Sequence, residues 1–162
     1  MIRSGIGFDA HQLKKGIDLY IGGIKIDSDL GSLGHSDGDA LIHALTDSLL
    51  GAAGMGDIGQ YFPSEKKEWE NAKSEIFLIE VKKILINNGF KISNVDCTVI
   101  LQKPKINLYI EPIQSNISRI LELNEKYVSV KATTTDYLGY IGDSEGWSAI
   151  SIATIIDTNE DC

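Results

Sequence analysis

The chain has 162 residues, a formal net charge of −8, 43% hydrophobic residues and 23% charged residues. This length is typical of one domain that buries its own core. The acidic balance argues against sequence-independent binding to nucleic acid or to an anionic membrane, because both depend on Lys and Arg. No apolar run reaches the roughly 20 residues of a membrane span, and residues 1–7 resemble no signal or transit sequence. We therefore expect a single cytoplasmic domain over residues 1–162.

Alternating residues predict a first strand over residues 2–8. The alternation places Ile2, Ile6 and Phe8 on one side and Gly5 and Gly7 on the other. If the extended backbone continues past Phe8, Asp9 and His11 project to the same side of the chain. Residues 19–26 predict a hairpin that turns at a Gly-Gly pair, and residues 29–38 predict a polar loop.

A helix is predicted from Asp39, which can cap it. Its apolar face carries Leu41, Leu45, Leu49 and Ala52. Asp39, His43 and Asp47 fall at intervals of four on the opposite, polar face. Residues 51–63 carry several glycines and predict a loop, which either ends the helix or lets backbone approach a ligand. Residues 64–73 predict an exposed, mobile loop.

The second half of the chain mixes helices and strands. Helical periodicity predicts helices over residues 74–88 and from about Tyr109, and alternation predicts strands over residues 95–101 and 128–132. Residues 147–156 are apolar on both faces, which suits a strand buried on both sides or covered by another subunit. We predict an α+β fold with a single mixed β-sheet covered by two or three helices.

Asp9, His11 and His43 are candidate ligands of a catalytic zinc ion. Imidazole and carboxylate suit zinc, and three protein ligands leave a fourth position for water or substrate. Spacing leaves an alternative open, in which His11 begins a loop and His43 lies on a solvated helix face. If this acidic chain binds a polyanion, metal ions must supply the positive charge.

Two polar segments could contact phosphate. His35 and Ser36 precede the first helix and could meet an anion at its N-terminus, although a loop histidine beside a serine turn fits equally well. Thr133, Thr134 and Thr135 with Asp136 could hold phosphate and a hard cation, although threonines are also common in strands. The sequence contains no Walker A loop, Gly-x-Ser-x-Gly elbow or Cys-x-x-Cys motif.

Four motifs together carry a family resemblance. They are Gly-Phe-Asp-Ala-His at residues 7–11, His-Ser-Asp-Gly-Asp at 35–39 with His43, Gly-Asp-Ile-Gly at 56–59 with Phe-Pro at 62–63, and Val-Lys-Ala-Thr-Thr-Thr at 130–135. In this order and spacing they closely resemble the 2-C-methyl-D-erythritol 2,4-cyclodiphosphate synthase family over nearly the whole chain. The resemblance implies a phosphorus-oxygen lyase of non-mevalonate isoprenoid biosynthesis. Such an enzyme converts 4-diphosphocytidyl-2-C-methyl-D-erythritol 2-phosphate into the cyclic diphosphate and releases CMP.

The resemblance also implies an assembly and a set of site residues. The family forms homotrimers, with sheets around a threefold axis and active sites between adjacent subunits. Zinc would bind Asp9, His11 and His43, while His35 and Thr134 would stabilise the transition state. The residues implied to contact substrate are Asp9, His11, His35, Ser36, Asp57, Ile58, Gly59, Phe62, Pro63, Ser64, Glu65, Lys66, Leu101, Gln102, Lys103, Pro104, Lys105, Thr133, Thr134, Thr135, Asp136 and Tyr140.

Within that set, the resemblance implies separate roles. Asp57 and Gly59 would meet the methylerythritol part, and residues 62–66 would form a mobile flap over it. Residues 101–105 and 133–136 would hold the cytidine and its phosphates, with Asp136 near a second divalent ion, magnesium or manganese.

Two positions depart from the family pattern. Asp136 stands where the family usually has Glu, so its reach to a second metal is shorter. Asp143 stands where many bacterial relatives carry Arg or Lys facing a cavity on the threefold axis, which disfavours an isoprenoid diphosphate there. Two rival functions are a metal-dependent phosphohydrolase, in which water attacks, and a trimeric module that binds an isoprenoid diphosphate.

Overall fold

The computed structural model describes residues 1–34, 36–63, 69 and 72–159. In that part of the chain the strands are β1 (Ile2–Lys15), β2 (Leu19–Ile21), β3 (Ile24–Ile26), β4 (Leu30–Leu33), β5 (Phe90–Ile100), β6 (Val128–Thr133) and β7 (Gly146–Asp157). The α-helices are α1 (Ala40–Ala53), α2 (Ile58–Tyr61), α3 (Glu75–Asn87), α4 (Ile110–Leu121) and α5 (Gly139–Gly142). The fold is α+β, as predicted. None of the described helices is long and apolar enough to cross a bilayer.

The main sheet has five strands in the order β4-β1-β7-β5-β6. Only β5 and β6 pair in parallel among these neighbours, so the sheet is mixed, as predicted. The strands β2 and β3 form a separate two-stranded hairpin at the predicted place. The predicted strand over residues 95–101 is interior, with β7 and β6 as neighbours, and it begins five residues earlier, at Phe90.

Helix α1 lies directly on β1 because β1 presents glycines to it. An added Cβ at Gly5 would meet the Ser48 carbonyl oxygen at 2.2 Å, and one at Gly7 would meet the Ala44 carbonyl oxygen at 1.9 Å. The same face of β7 is buried, with the side chains of Trp147, Ala149, Ser151, Ala153 and Ile155. The core therefore lies between the sheet and α1, with α3 and α4 completing the same layer.

The opposite face of the sheet exposes large apolar side chains. Ile6 is 69% exposed, Phe8 is 58% exposed and Ile152 is 45% exposed in the single chain. Ile6 pairs with Ile152 across β1 and β7, so these side chains form one continuous surface. We call this surface, made of Ile2, Ile6, Phe8 and Ile152, the outer sheet face. The predicted alternation of β1 is confirmed, and it is the glycine side that enters the core.

Several predictions of local structure were wrong. The predicted loop over residues 29–38 contains β4, because residues 30–33 pair with the far end of β1. The first strand continues through Lys15 rather than ending at Phe8. The glycine-rich segment contains α2, and Asp57 caps it by accepting a hydrogen bond from the Gln60 amide at 3.1 Å. Of the predicted exposed loop over residues 64–73, residues 64–68, 70 and 71 lie outside the described residues, and Trp69 packs against the ring of Phe62.

The residue Asp39, at the start of the polar face of α1, is completely buried. Asp39 caps α1 as predicted, accepting from the Ile42 amide at 3.1 Å, and its second oxygen accepts from the Gly23 amide at 2.6 Å. Burial raises the pKa of Asp39 to about 6, although these amide donors favour the ionised form. The carboxylate thus joins the β2–β3 turn to the start of α1.

Candidate metal centre and active site

Asp9, His11 and His43 meet at the junction of β1 and α1. Because β1 stays extended, Asp9 and His11 project from the same side of the strand. His43 lies on the first turn of α1, which the glycines of β1 bring close. The Asp9 Oδ2 atom lies 3.0 Å from His11 Nε2 and 2.9 Å from His43 Nδ1, and the two nitrogens are 3.2 Å apart.

These three atoms fit a divalent metal ion. The three side chains could hold one, with their ligand atoms within 4.8 Å of one another. In a tetrahedral zinc site with bonds of 2.0–2.1 Å, neighbouring ligand atoms are about 3.3 Å apart, close to the observed separations. The predicted grouping of these residues is confirmed, and two imidazoles with one carboxylate form a donor set that zinc accepts.

The electrostatics of this centre favour positive charge. Burial alone would raise the pKa of Asp9, but hydrogen bonds from His11 and His43 hold that pKa well below its usual range. Burial alone would lower the pKa of His11, but the hydrogen bond to Asp9 raises it above its usual value. The Asp9 carboxylate is therefore ionised and ready to share a cation with the two imidazoles.

Each histidine is also held through its second ring nitrogen. His11 Nδ1 lies 3.2 Å from the Leu33 carbonyl oxygen, which the unpredicted strand β4 supplies. His43 Nε2 lies 3.0 Å from Ser74 Oγ and 3.2 Å from Ser36 Oγ. Ser36, predicted to contact substrate, thus lies beside the metal centre, while Ser74 was not predicted at all.

An aromatic cavity opens beside the metal centre. It has a volume of about 220 Å³, and its lining includes His11, Ser36, His43, Ile58, Gly59, Phe62, Trp69 and Phe77. The ring centroids of Phe62 and Phe77 are 4.8 Å apart, and that of Trp69 lies 5.2 Å from Phe62. The Trp69 indole nitrogen is buried and has no hydrogen-bond partner in the part of the chain that the structure describes. Ile58, Gly59 and Phe62 are thus brought to the metal centre.

A side chain of α1 holds the start of α2, in the glycine-rich segment, in place. The Asp47 carboxylate, one turn after His43, accepts a hydrogen bond from the Ile58 amide at 2.7 Å. Burial raises the pKa of Asp47, and this amide works against the shift. Asp47, predicted only as part of a polar stripe, therefore fixes the start of α2 against the helix that carries His43. Pro63 follows Phe62 and is partly buried.

The predicted nucleotide segments form a second, separate groove. Its volume is about 970 Å³, and Gln102, Lys103, Pro104, Lys105, Thr134 and Asp136 line it. Leu101 and Thr133 line a pocket of about 180 Å³ that shares several of these residues. Two hydrogen bonds join the segments, from the Leu101 amide to the Thr133 carbonyl at 3.0 Å and from the Tyr137 amide to Gln102 Oε1 at 3.2 Å.

The threonine loop has an unusual backbone. Asp136 and Tyr137 have φ angles of 50° and 64°, a left-handed conformation that side chains other than glycine adopt at a cost of order 1–3 kcal/mol. The Asp136 amide donates to Thr134 Oγ1 at 3.3 Å, and Thr135 Oγ1 donates to the Leu138 carbonyl at 2.8 Å. The loop thereby presents Thr133, Thr134 and Asp136 as exposed groups.

The metal centre and the threonine loop lie at the same end of the sheet but on different strands. His11 pairs with Trp147 of β7, whose neighbour Ser148 pairs with Ile100 of β5, which in turn pairs with Thr133. Three strand spacings separate them, or about 14 Å. Tyr140 lines a pocket of about 280 Å³ with His11. One chain therefore brings the metal ligands together but holds the predicted phosphate groups apart from them.

Four predicted site residues, His35, Ser64, Glu65 and Lys66, lie outside the described residues. The sequence reasoning missed Ser74, Trp69 and Phe77 as neighbours of the metal centre. It also missed Lys15 and residues 27–30, which line the larger groove. Helical spacing identified Phe77 as a buried residue of α3, but no sequence signal showed that α3 begins beside His43.

The fold has known counterparts. The family model described as the YgbB family matches residues 2–156, and the chain belongs to that family. The chain is 45% identical over 154 residues to a 2-C-methyl-D-erythritol 2,4-cyclodiphosphate synthase of Clostridium botulinum, covering 95% of this chain and 99% of the relative. The predicted family resemblance is confirmed.

Solved structures give the same result. The bifunctional IspDF from Campylobacter jejuni matches with a TM-score of 0.93 and 39% identity, covering 99% of this chain and 44% of that longer chain. A CDP complex of IspF from Plasmodium falciparum matches with a TM-score of 0.85 and 37% identity, covering 98% of this chain and 97% of that chain.

Proposed function

We propose that this chain catalyses the cyclisation of 4-diphosphocytidyl-2-C-methyl-D-erythritol 2-phosphate to 2-C-methyl-D-erythritol 2,4-cyclodiphosphate with release of CMP. The observation that carries the proposal is the convergence of Asp9, His11 and His43 beside a small aromatic cavity, in a chain of this family. A cavity of about 220 Å³ suits a five-carbon polyol better than a nucleoside.

The reaction requires the 2-phosphate to attack the β-phosphorus in line, with CMP as the leaving group. The attacking oxygen belongs to a phosphate already ionised at neutral pH, so no general base is needed. Two polyanionic groups must approach each other, and most of the rate should come from positioning and charge stabilisation. When bound, zinc at Asp9, His11 and His43 and a second divalent cation supply positive charge to the phosphates.

The protein groups then divide the work. The cavity beside α2 excludes water and orients the methylerythritol part, with Asp57 and Gly59 toward its hydroxyls. Thr134 donates a hydroxyl to the phosphates, and His35 stabilises the transition state. Asp136 provides one carboxylate for the magnesium or manganese ion, whose other ligands come from substrate phosphate and water.

We also propose a homotrimer with the active site between adjacent subunits. Two features support it. The metal centre and the threonine loop of one chain are about 14 Å apart along the sheet, so the loop of a neighbouring chain is a better partner for the metal centre. The outer sheet face exposes Ile2, Ile6, Phe8 and Ile152, which three chains can bury against one another around an axis.

Phosphorus NMR tests the activity directly. The purified protein is incubated with the proposed substrate, zinc and magnesium, and the products are followed by their phosphorus signals. The proposal predicts a cyclic diphosphate and CMP in equal amounts. A linear hydrolysis product would instead support a metal-dependent phosphohydrolase, in which metal-bound water attacks.

A second measurement separates the enzyme from a trimeric module that only binds an isoprenoid diphosphate. Replacing His43 with Ala should abolish both metal binding and turnover, because one of three ligands is lost. A binding module would be unaffected by this change. Elemental analysis of the purified protein should find about one zinc per chain, and its absence would contradict the three-ligand assignment.

A further inference from the structure

We propose that Ser74, held by Asp37, is a positioning residue that fixes the imidazole of His43 so that its Nδ1 atom faces the metal centre. The inference concerns the metal centre of the proposed function, and it goes beyond the ligands by naming what orients one of them. It is carried by a partly buried chain of hydrogen bonds that joins the start of α3 to the first turn of α1.

Ser74 lies where a helix cap would lie, but its hydroxyl does not cap α3. The residue is completely buried, has φ and ψ of −58° and −24°, and makes no side-chain hydrogen bond to the helix. Its hydroxyl instead contacts Asp37 Oδ1 and lies 3.0 Å from His43 Nε2. A fully buried serine hydroxyl that does not cap a helix needs other hydrogen-bond partners, and here Asp37 and His43 are those partners.

Asp37 is itself fixed in place. Its Oδ2 atom accepts the Ser74 amide at 3.0 Å, and its Oδ1 atom accepts the Asp39 amide at 3.3 Å. The carboxylate therefore binds both the backbone and the side chain of Ser74, in a closed pair of hydrogen bonds. This arrangement fixes the position of the serine oxygen relative to α1.

The direction of each hydrogen bond follows from the number of protons. An ionised carboxylate only accepts, so the single hydroxyl proton of Ser74 points to Asp37. The serine oxygen then offers a lone pair to His43 Nε2, which must carry the proton. The ring is thereby anchored through Nε2, and its Nδ1 atom faces Asp9 Oδ2 and His11 Nε2, where a bound metal ion would take the place of the Nδ1 proton.

The hydroxyl of Ser36 does not by itself determine how the His43 ring is oriented. Its hydroxyl lies 3.2 Å from His43 Nε2 and 3.3 Å from Ser74 Oγ, so it can act as a second acceptor. None of the described hydrogen bonds joins a carboxylate to the Ser36 hydroxyl, so its proton can turn toward either neighbour. The carboxylate on Ser74 thus distinguishes the two serines, and of these two only Ser74 offers His43 Nε2 an acceptor whose direction is fixed.

The two histidine ligands are held by equivalent means. His11 donates from Nδ1 to the Leu33 carbonyl, which leaves Nε2 for the metal, while His43 donates from Nε2 to Ser74, which leaves Nδ1. Groups that orient metal-binding histidines in this way typically contribute about 10–100-fold to metal affinity. We therefore expect Ser74 to contribute within that range.

The test combines a spectroscopic and a binding measurement on the full chain. Nitrogen-15 NMR of the histidine rings in the zinc-loaded protein reports which nitrogen of His43 carries the proton. Zinc affinity is measured by competition with a chromophoric chelator. The wild type should show His43 protonated on Nε2, and Ser74→Ala should show mixed tautomers and bind zinc about 10–100-fold more weakly.

Control variants separate positioning from general destabilisation. Ser48→Ala removes the hydroxyl of a different completely buried serine, which lies in α1 and donates hydrogen bonds to the Leu45 carbonyl and to Ser151. This change should leave the His43 tautomer and the zinc affinity unchanged. Ser74→Thr keeps the hydroxyl and should restore the Nε2–H tautomer. Asp37→Asn, which can donate to Ser74, should disturb the tautomer even if Ser74→Ala fails to fold.

The inference is overturned if His43 keeps the Nε2–H tautomer in the folded Ser74→Ala and Asp37→Asn variants, or if their zinc affinity stays within about threefold of the wild type. Failure of the proposed function looks different. A wild type that binds zinc but forms no cyclic diphosphate leaves this positioning role intact, because neither readout depends on turnover.

Discussion

Replacing Gly7 with Ala tests whether the contact between β1 and α1 sets the geometry of the metal centre. Gly7 precedes Asp9 by two residues on the same strand, and the atom it would strike is the carbonyl oxygen of Ala44, the residue after His43. A Cβ at this position would lie 1.9 Å from that oxygen and 2.8 Å from the Ser48 amide nitrogen. The obstacle is helix backbone, which cannot move aside as a flexible side chain could.

The size of the effect follows from these distances. Restoring an ordinary contact requires α1 to move away from β1 by roughly 1 Å or more. Overpacking of this kind typically costs about 1–3 kcal/mol of unfolding free energy, and occasionally more. The same movement carries His43 away from Asp9 and His11, whereas metal–ligand distances tolerate only about 0.2 Å. We expect Gly7→Ala to lose both stability and zinc affinity.

Urea unfolding of the metal-free protein and chelator competition for zinc measure these two losses. Gly51→Ala is the matched control, because Gly51 lies in α1 and its nearest contact for a Cβ is the Ile6 carbonyl oxygen at 3.9 Å. That change should stabilise the helix by roughly 0.5–1 kcal/mol. The reasoning is refuted if Gly7→Ala retains wild-type zinc affinity and unfolds within about 0.5 kcal/mol of the wild type.

Three further predictions concern other parts of the chain. Because the folded-state pKa of Asp39 is raised to about 6, its contribution to the free energy of unfolding should fall by roughly 2–3 kcal/mol as pH rises from 4 to 7. Asp39→Asn should flatten this pH dependence in urea titrations, and an unchanged pH dependence would contradict the raised pKa. Ile6→Asp should convert the proposed trimer to monomers in light scattering, whereas Ile86→Asp, at a helix position that is also exposed, should not; a trimeric Ile6→Asp variant would exclude the outer sheet face as the interface. Trp69→Phe keeps the aromatic packing but removes the buried N–H, which would donate a hydrogen bond to bound substrate. KM should therefore rise about 5–10-fold with kcat nearly unchanged, and an unchanged KM would show that substrate does not accept a hydrogen bond from Trp69.

The sequence identified the candidate metal ligands because local geometry determines most of their placement. Asp9 and His11 share a side of any extended strand, and His43 lies on the helix that follows the second motif. Spacing alone could not show that this helix lies on β1. That contact depends on Gly5 and Gly7, whose missing side chains were predicted to face one side of the strand but not to receive a helix.

The groups that support the ligands were missed for a different reason. Ser74 and Trp69 reach the metal centre only because α3 begins beside α1, and this arrangement depends on packing between distant segments. Leu33 offers a backbone carbonyl, which carries no sequence signal of its own. Short elements of secondary structure were also missed. The strand β4 has four residues, and its pairing with the end of β1, rather than its composition, makes it a strand.

The pattern of polar residues on α1 identified the face that these residues share but not the partner of each residue. Asp39, His43 and Asp47 were predicted to share one polar face, and they do. A solvated face was the simplest interpretation of that spacing, yet the structure gives each residue a separate partner. Asp39 binds the hairpin turn, His43 joins the metal centre and Asp47 holds the start of α2. Amphipathic periodicity identifies a face, but tertiary contacts decide what that face binds.

The most direct test of the proposed reaction is to follow the oxygen atoms. The protein is incubated with its proposed substrate, zinc and magnesium in water enriched in oxygen-18, and the products are analysed by mass spectrometry. Attack by the substrate's own 2-phosphate forms the new P–O bond without water, so neither CMP nor the cyclic diphosphate should carry the label. One oxygen-18 atom in a phosphate product would show that water is the nucleophile and would contradict the cyclisation mechanism.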